Sequence, residues 1–165
     1  MKRKRESSPS PSSSSTHQPK YDVFLSFRGE DTRTNFTDHL YVALKRKGII
    51  TFRDEEELKK GERISELFKA IEESQFAIII LSRNYASSTW CLDELTKIIK
   101  YGLKVYPVFY DVSPSIVRKQ TEPFKQAFID HQKRFKDNIK KVKTWRDTLK
   151  KVADIKGWDL HLQNR

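Results

Sequence analysis

The sequence predicts an α/β fold, a flavodoxin-like three-layer sandwich around a central parallel sheet. Short apolar runs alternate with amphipathic helical patterns from residue 21 onward. Alternation of that kind implies parallel strands joined by right-handed crossover helices. The run Phe76–Leu81 is apolar without interruption, which suits a strand covered on both faces. Gly29, Gly48, Pro114 and Gly157 fall between the periodic stretches, where turns belong.

The elements follow in order. Residues 1–20 are dominated by Ser, Pro and charge, and such a segment buries too little apolar surface to order itself. Tyr21–Phe27 reads as a buried strand and Arg28–Arg33 as a loop. Phe36, Leu40, Ala43 and Leu44 recur at helical spacing, and Gly48 stops that helix. Ile49–Arg53 is a second, short strand and Asp54–Gly61 a charged loop. Ile64, Leu67, Phe68 and Ile71 mark a second helix with one buried stripe. Phe76–Ser82 is the third strand, and Arg83–Ser88 is polar. A helix from about Thr89 to Tyr101 follows, with Leu92, Leu95 and Ile99 as its core stripe. Val105–Tyr110 is the fourth strand and Asp111–Ser115 a turn. Amphipathic helices over about Glu122–Phe135 and Asn138–Ile155 complete the domain, and Gly157 ends the last. The expected organisation is a disordered tail over 1–20, a folded domain over 21–160 and a short tail over 161–165.

The chain has 165 residues, 36% of them hydrophobic, with 10 Phe, 6 Tyr and 3 Trp. That fits one domain with a sizeable core. A lone cysteine, Cys91, allows no internal disulfide and points to a reducing compartment, the cytoplasm. No apolar run is long enough to span a bilayer, and the N-terminus does not read as a secretory signal. The net charge is +11, and it is concentrated in two places. The tail holds five Lys or Arg against Glu6, and Lys133–Lys151 holds nine against Asp137 and Asp147. Lys2-Arg3-Lys4-Arg5 reads equally as a nuclear-import signal or as a solubilising tail. Nucleic-acid binding is the weakest reading of the charge, because no readout helix or stacking platform is identifiable.

In a sheet of this class ligands sit beyond the carboxyl ends of the strands. That rule selects the loops after Phe27, Arg53, Ser82 and Tyr110. The third strand ends Leu81-Ser82-Arg83-Asn84, without the aspartate that a phosphoaspartate receiver requires. Neither a glycine-rich dinucleotide turn nor a phosphate-binding loop follows a strand. The four His are scattered and Cys91 has no partner cysteine, so no metal site is expected.

Four ordered motifs are more specific. Tyr21-Asp22-Val23-Phe24-Leu25-Ser26-Phe27-Arg28-Gly29-Glu30-Asp31-Thr32-Arg33, Phe52-Arg53-Asp54-Glu55 with Leu58-Lys59-Lys60-Gly61, Trp90-Cys91-Leu92-Asp93-Glu94-Leu95, and Pro107–Ser115 with Val117-Arg118-Lys119-Gln120 resemble, in that order, the signatures of plant TIR domains. The resemblance runs from Tyr21 to about Leu160. The chain is shorter between Leu95 and Val105 than is usual for the family, so the third helix or its exit loop is expected to be trimmed. Immune-receptor members continue into further regions, so this chain reads as a TIR-only protein or a piece of a receptor.

The resemblance implies an immune-signalling module that self-associates and cleaves the nicotinamide–ribose bond of NAD+ or NADP+. The nucleotide is a substrate, and no tightly bound cofactor is expected. Glu94 matches the catalytic glutamate. Phe27, Arg28, Gly29, Trp90, Cys91, Lys60 and Gly61 match the nucleotide-binding positions. Asp38, His39, the Trp145-bearing helix and Gly157 match self-association surfaces, serving a homo-oligomer or other TIR-containing immune receptors. From the residues alone, blander readings stand beside these. Glu94 is an acid near a helix start, where the helix dipole favours it. Trp90 is a half-buried core aromatic, and Cys91 is a small buried hydrophobe. Arg28 is the partner of Glu30 or Asp31 across the loop. His39 is an exposed helix residue, and the Lys-rich last helix is a solvated face. A non-catalytic module recruiting partners through TIR–TIR contacts is the competing function.

Overall fold

The computed structural model describes residues 19–32, 36–53 and 60–160, with residues 32 and 60–63 described by backbone alone. The basic tail with Lys2–Arg5, most of the charged loop after the second strand, and residues 161–165 lie outside the described residues. Five strands form one sheet: β1 (Tyr21–Ser26), β2 (Thr51–Arg53), β3 (Ser74–Leu81), β4 (Lys104–Tyr110) and β5 (Trp158–Leu160). Their order is β2-β1-β3-β4-β5, and every pairing is parallel. This is the expected fold class, an α/β sheet flanked by helices. The helices are α1 (Gly29–Thr32), α2 (Asp38–Arg46), α3 (Lys60–Glu72), α4 (Thr89–Tyr101), α5 (Pro114–Lys119), α6 (Phe124–Arg134) and α7 (Ile139–Ala153).

Alternation along the strands sorts side chains onto two faces. Phe24, Ala77, Ile79, Leu81, Val105 and Phe109 join a large core with residues of α3 through α7. Leu25, Ile80, Val108 and Tyr110 join a smaller one, backed by Phe36, Leu40 and Tyr41. The unbroken apolar run in β3 thus has the cause inferred from sequence: both faces are packed. The layers are unequal, because among the described helices α2 alone lies over the second face. No residue of α2 is fully buried, and Ala43, expected on its inward stripe, is exposed. An apolar groove of about 450 Å³ remains open there, between Phe36 and Leu40 on one side and Val23, Phe76, Tyr106 and Trp158 on the other.

Several details differ from the sequence reading. Arg28–Arg33, read as a loop, contains the short helix α1. A short helix, α5, occupies Pro114–Lys119, where only a turn was expected. Ser113 caps it by accepting from the Ile116 amide at 3.2 Å, with Pro at its first position, a placement that suits proline's fixed φ. The Asp54–Gly61 loop is shorter than expected, since α3 begins at Lys60. The fifth strand, β5, has no apolar run of its own. It pairs with β4 from Val108 to Tyr110, so neighbouring backbone, not local pattern, makes it a strand.

Gly157 does not end the last helix, which stops at Ala153. It brings the chain against β4 instead. A Cβ at Gly157 would stand 2.2 Å from the Pro107 carbonyl oxygen and 2.8 Å from its Cγ. Neither neighbour is a flexible side-chain end, so the backbone itself must move. Gly157→Ala is therefore expected to destabilise the fold by roughly 1–3 kcal/mol, the usual cost of overpacking. A thermal melt indistinguishable from that of the unmodified chain would show that β5 yields freely.

Among the described residues no helix is long and apolar enough to cross a membrane.

Candidate functional site

The strand order reverses at β1, which lies between β2 and β3. In open parallel sheets such a switch point leaves a crevice at the carboxyl ends. Here that crevice is framed by Ser26, Phe27 and Arg28 after β1 and by Ser82 after β3. A 3-10 turn, Tyr85–Ser87, then leads into α4. Ser88 caps α4 by accepting from the Cys91 amide at 3.0 Å, and Gly102 closes the helix in the left-handed region at φ 92°. Helix α4 is 13 residues long and reaches β4 through Gly102 and Leu103 alone.

Glu94 lies in the second turn of α4 and is only 3% exposed. The core stripe read from sequence, Leu92, Leu95 and Ile99, left Glu94 outside it. The buried positions of α4 are instead Cys91, Leu92, Glu94, Leu95 and Ile98, so the inward arc is wider and contains the carboxylate. A buried charge is costly unless hydrogen bonds receive it. Ser26 Oγ donates to Glu94 Oε1 at 2.9 Å, and the same hydroxyl lies 2.8 Å from Tyr85 Oη. Tyr85 Oη is also 3.3 Å from the Cys91 carbonyl oxygen.

A second carboxylate ties the neighbouring loops. Asp31 Oδ2 accepts from Ser82 Oγ at 2.5 Å and from the Asn84 amide at 3.0 Å, and its Oδ1 accepts from Asn84 Nδ2 at 3.2 Å. The loop after β1 is thereby fastened to the end of β3. Behind the site, His131 Nε2 meets the Ala86 carbonyl oxygen at 2.7 Å. Trp145 Nε1 donates to Asp93 Oδ1 at 3.1 Å. Helices α6 and α7 thus hold the 3-10 turn and α4 from the core side.

The other expected site residues divide. Phe27 is buried, and the Cys91 thiol donates to its carbonyl at 3.6 Å. Burial pushes the Cys91 thiol far above its ordinary range, and the neighbouring Glu94 carboxylate adds to the rise. The thiol therefore stays protonated near neutral pH and is a poor nucleophile. Arg28 pairs with Glu30 at 3.1 Å, but its Nε is buried without a hydrogen-bond partner. Gly29 opens α1. Trp90 is half-buried and packs on the main core. The backbones of Lys60 and Gly61 belong to the first turn of α3, and their side chains lie outside the described residues.

Of the surface residues, Asp38 is engaged by Arg53 at 2.6 Å and His39 is exposed. Trp145 is not a surface residue. It is 1% exposed, because the inward face of α7 needs a large apolar body between α4 and α6. Sequence reasoning assigned no role to Ser26, Ser82 or Tyr85, and it read Asp31 only as an alternative partner of Arg28, whereas Asp31 instead holds Ser82 and Asn84. A signal existed for Ser26, a hydroxyl at the carboxyl end of an otherwise largely apolar strand.

A five-stranded parallel sheet in this order, flanked by helices, is an α/β fold of the flavodoxin-like class, and within it the chain belongs to the TIR family. The family model described as "TIR domain" matches residues 20–165. The chain is 53% identical over 151 residues to TMV resistance protein N of Nicotiana glutinosa, covering 88% of this chain and 13% of that protein. It is 53% identical over 161 residues to disease resistance protein RPV1 of Vitis rotundifolia, covering 94% and 11% respectively. Among solved structures it resembles the TIR domains of the activated Roq1 resistosome, which recognises the pathogen effector XopQ. There the TM-score is 0.77 at 55% identity, covering 87% of this chain and 90% of that one. The chain thus spans about an eighth of the length of the curated relatives it matches.

Proposed function

We propose that this TIR domain signals in plant defence by cleaving the nicotinamide–ribose bond of NAD+ when it self-associates. The observation that carries the reading is Glu94, a carboxylate held at the switch point of the sheet by Ser26. The chemistry needs little more. Nicotinamide carries its positive charge in the substrate and leaves neutral, so no general acid has to protonate it. As the C1′–N bond breaks, positive charge builds on the ribose, and a fixed carboxylate stabilises it. Water then supplies the hydroxyl at C1′ and releases a proton, leaving ADP-ribose. NADP+ offers the same bond. The buried, unpaired Nε of Arg28 is a donor suited to a phosphate oxygen.

Glu94 at 3% exposure has to become accessible before a ribose can reach it. The proposed device is assembly, in line with the resistosome in which the Roq1 TIR domains are found. His39, exposed on α2, is the proposed contact with other TIR domains; Asp38 beside it is already engaged by Arg53. The single buried cysteine fits the cytoplasm, with Lys2–Arg5 as a route to the nucleus. The burial of Glu94 also favours one other reading, a non-catalytic TIR–TIR adaptor in which the glutamate only braces the fold.

The rate of nicotinamide release is expected to rise more steeply than linearly with protein concentration. His39→Ala should lower it at low concentration, and a crowding agent should partly restore it. Initial rates across a concentration series test this. A strictly proportional wild-type rate, matched by the variant, would remove assembly from the mechanism. No release at any concentration would leave the adaptor reading.

A further inference from the structure

The carboxylate of Glu94 is the end of a hydrogen-bond chain that starts in the 3-10 turn. Ser26 has one hydroxyl proton, and Glu94 Oε1 at 2.9 Å receives it. The 2.8 Å contact between Ser26 Oγ and Tyr85 Oη therefore has Tyr85 as its donor. Tyr85 also has a single proton, so its longer 3.3 Å approach to the Cys91 carbonyl is at most a shared second branch. Burial holds the Tyr85 phenol well above its ordinary range, with Cys91 and Glu94 adding to the effect, so it remains a donor. Ser26 and Tyr85 are both 0% exposed. A buried hydroxyl is costly unless bonded, and strand alternation puts Ser26 on the same face as Phe24, the face of the main apolar core, where alanine would serve packing alone. The hydroxyl is thus explained by the carboxylate it meets.

We propose that Ser26 and Tyr85 are positioning residues for the cleavage reaction, acting in the order Tyr85 to Ser26 to Glu94. The proposal rests on the assignment of Glu94 made above. The chain does two things for the carboxylate. It fixes the plane of the group relative to the strand ends, and it favours the ionised form, since a donor to the charged state stabilises that state. Tyr85 from the turn and Cys91 from its own helix are titratable groups that couple to Glu94. Both are protonated across the working range. Arg28 and Asp31 act on the same cluster from the loop after β1. Neither is altered by the variants below.

The test uses the full chain under crowding, with initial rates over a pH series for the unmodified protein, Glu94→Ala, Ser26→Ala, Tyr85→Phe and the Ser26→Ala/Tyr85→Phe double variant. Ser26→Ala is expected to lower kcat roughly tenfold or more, the loss of one hydrogen bond to a charged group, with KM little changed. The acid limb of the profile should move to higher pH. Tyr85→Phe should show a smaller fall in the same direction. The double variant should be no slower than Ser26→Ala, because Tyr85 acts through Ser26. Activity retained in Glu94→Ala defeats the assignment of Glu94 itself. An inactive Glu94→Ala beside a Ser26→Ala with unchanged kcat and pH profile, or altered in KM alone, overturns the chain; so does additivity in the double variant. If Ser26→Ala does not fold, Tyr85→Phe decides, since it removes a single oxygen. A readout independent of turnover is the titration of the Glu94 carboxyl carbon by NMR. It should midpoint at higher pH in Ser26→Ala or Tyr85→Phe than in the unmodified chain, and an unmoved midpoint overturns the proposal.

Discussion

Glu94→Ala is expected to lower nicotinamide release from NAD+ by roughly a thousandfold or more, the scale of losing a preorganised electrostatic partner of the transition state. The fold should survive. Removing the side chain leaves Ser26 without an acceptor, at about 1–3 kcal/mol, and opens a small cavity beside Cys91 and Ile98. It also removes a charge that the interior had to desolvate. These terms oppose one another, so a cooperative melt is expected to remain. Glu94→Gln separates charge from shape. It keeps the volume and still accepts from Ser26, yet it carries no negative charge for the ribose cation. Both variants should be inactive if the charge does the chemistry. Wild-type release by Glu94→Ala would end the catalytic reading, and activity in Glu94→Gln alone would recast Glu94 as a packing residue.

The largest loss of stability is expected from Trp145→Ala. The indole is 1% exposed and meets Phe135 edge-to-face at 5.4 Å and His131 at 5.2 Å. Lys141 lies over its ring at 5.4 Å. Truncating so large a buried aromatic typically costs about 3–5 kcal/mol. In a domain of this size that lowers the melting temperature by roughly 10 °C or more. The Nε1 bond to Asp93 is lost as well, and with it a tie holding the helix that carries Glu94. Trp145→Phe keeps a six-membered ring but loses the donor and part of the buried ring volume, so it should cost roughly 1–3 kcal/mol while loosening α4. Denaturation curves for the two variants, together with sedimentation of the folded protein, make the check. A normal melt with lost self-association would return Trp145 to an interface.

Much of the architecture was legible in the sequence because it depends on local pattern. The runs Tyr21–Phe27, Phe76–Ser82 and Val105–Tyr110 are apolar over a strand's length, and their two-sided burial follows from that. Helix α4 was legible at about Thr89–Tyr101 from the spacing of Leu92, Leu95 and Ile99 after a polar stretch, and in the fold Ser88 and Gly102 cap it at those ends. Strand β5 and helix α5 were not legible. Trp158-Asp159-Leu160 has no alternation to read and exists as a strand through its pairing with β4. Pro114–Lys119 is too short for a helical period to emerge. At the site, the motif containing Glu94 was visible, whereas its environment was not. Ser26 is 68 residues from Glu94 in sequence, and Asp31 is 51 from Ser82. No spacing rule reaches across such distances.

The sequence by itself determined the class of fold, the strand ends where chemistry can sit, and the motifs that place the chain among TIR domains. Those properties are written in periodicity and in short ordered runs of residues. Only the tertiary structure decided that Glu94, outside the core stripe read from sequence, is buried and hydrogen-bonded. It also decided that Trp145 belongs to the core, and that Gly157 is required by the close approach of Pro107. Burial is a property of what other elements place around a residue, and α4, α6, α7 and the switch point of the sheet meet only when the chain is folded.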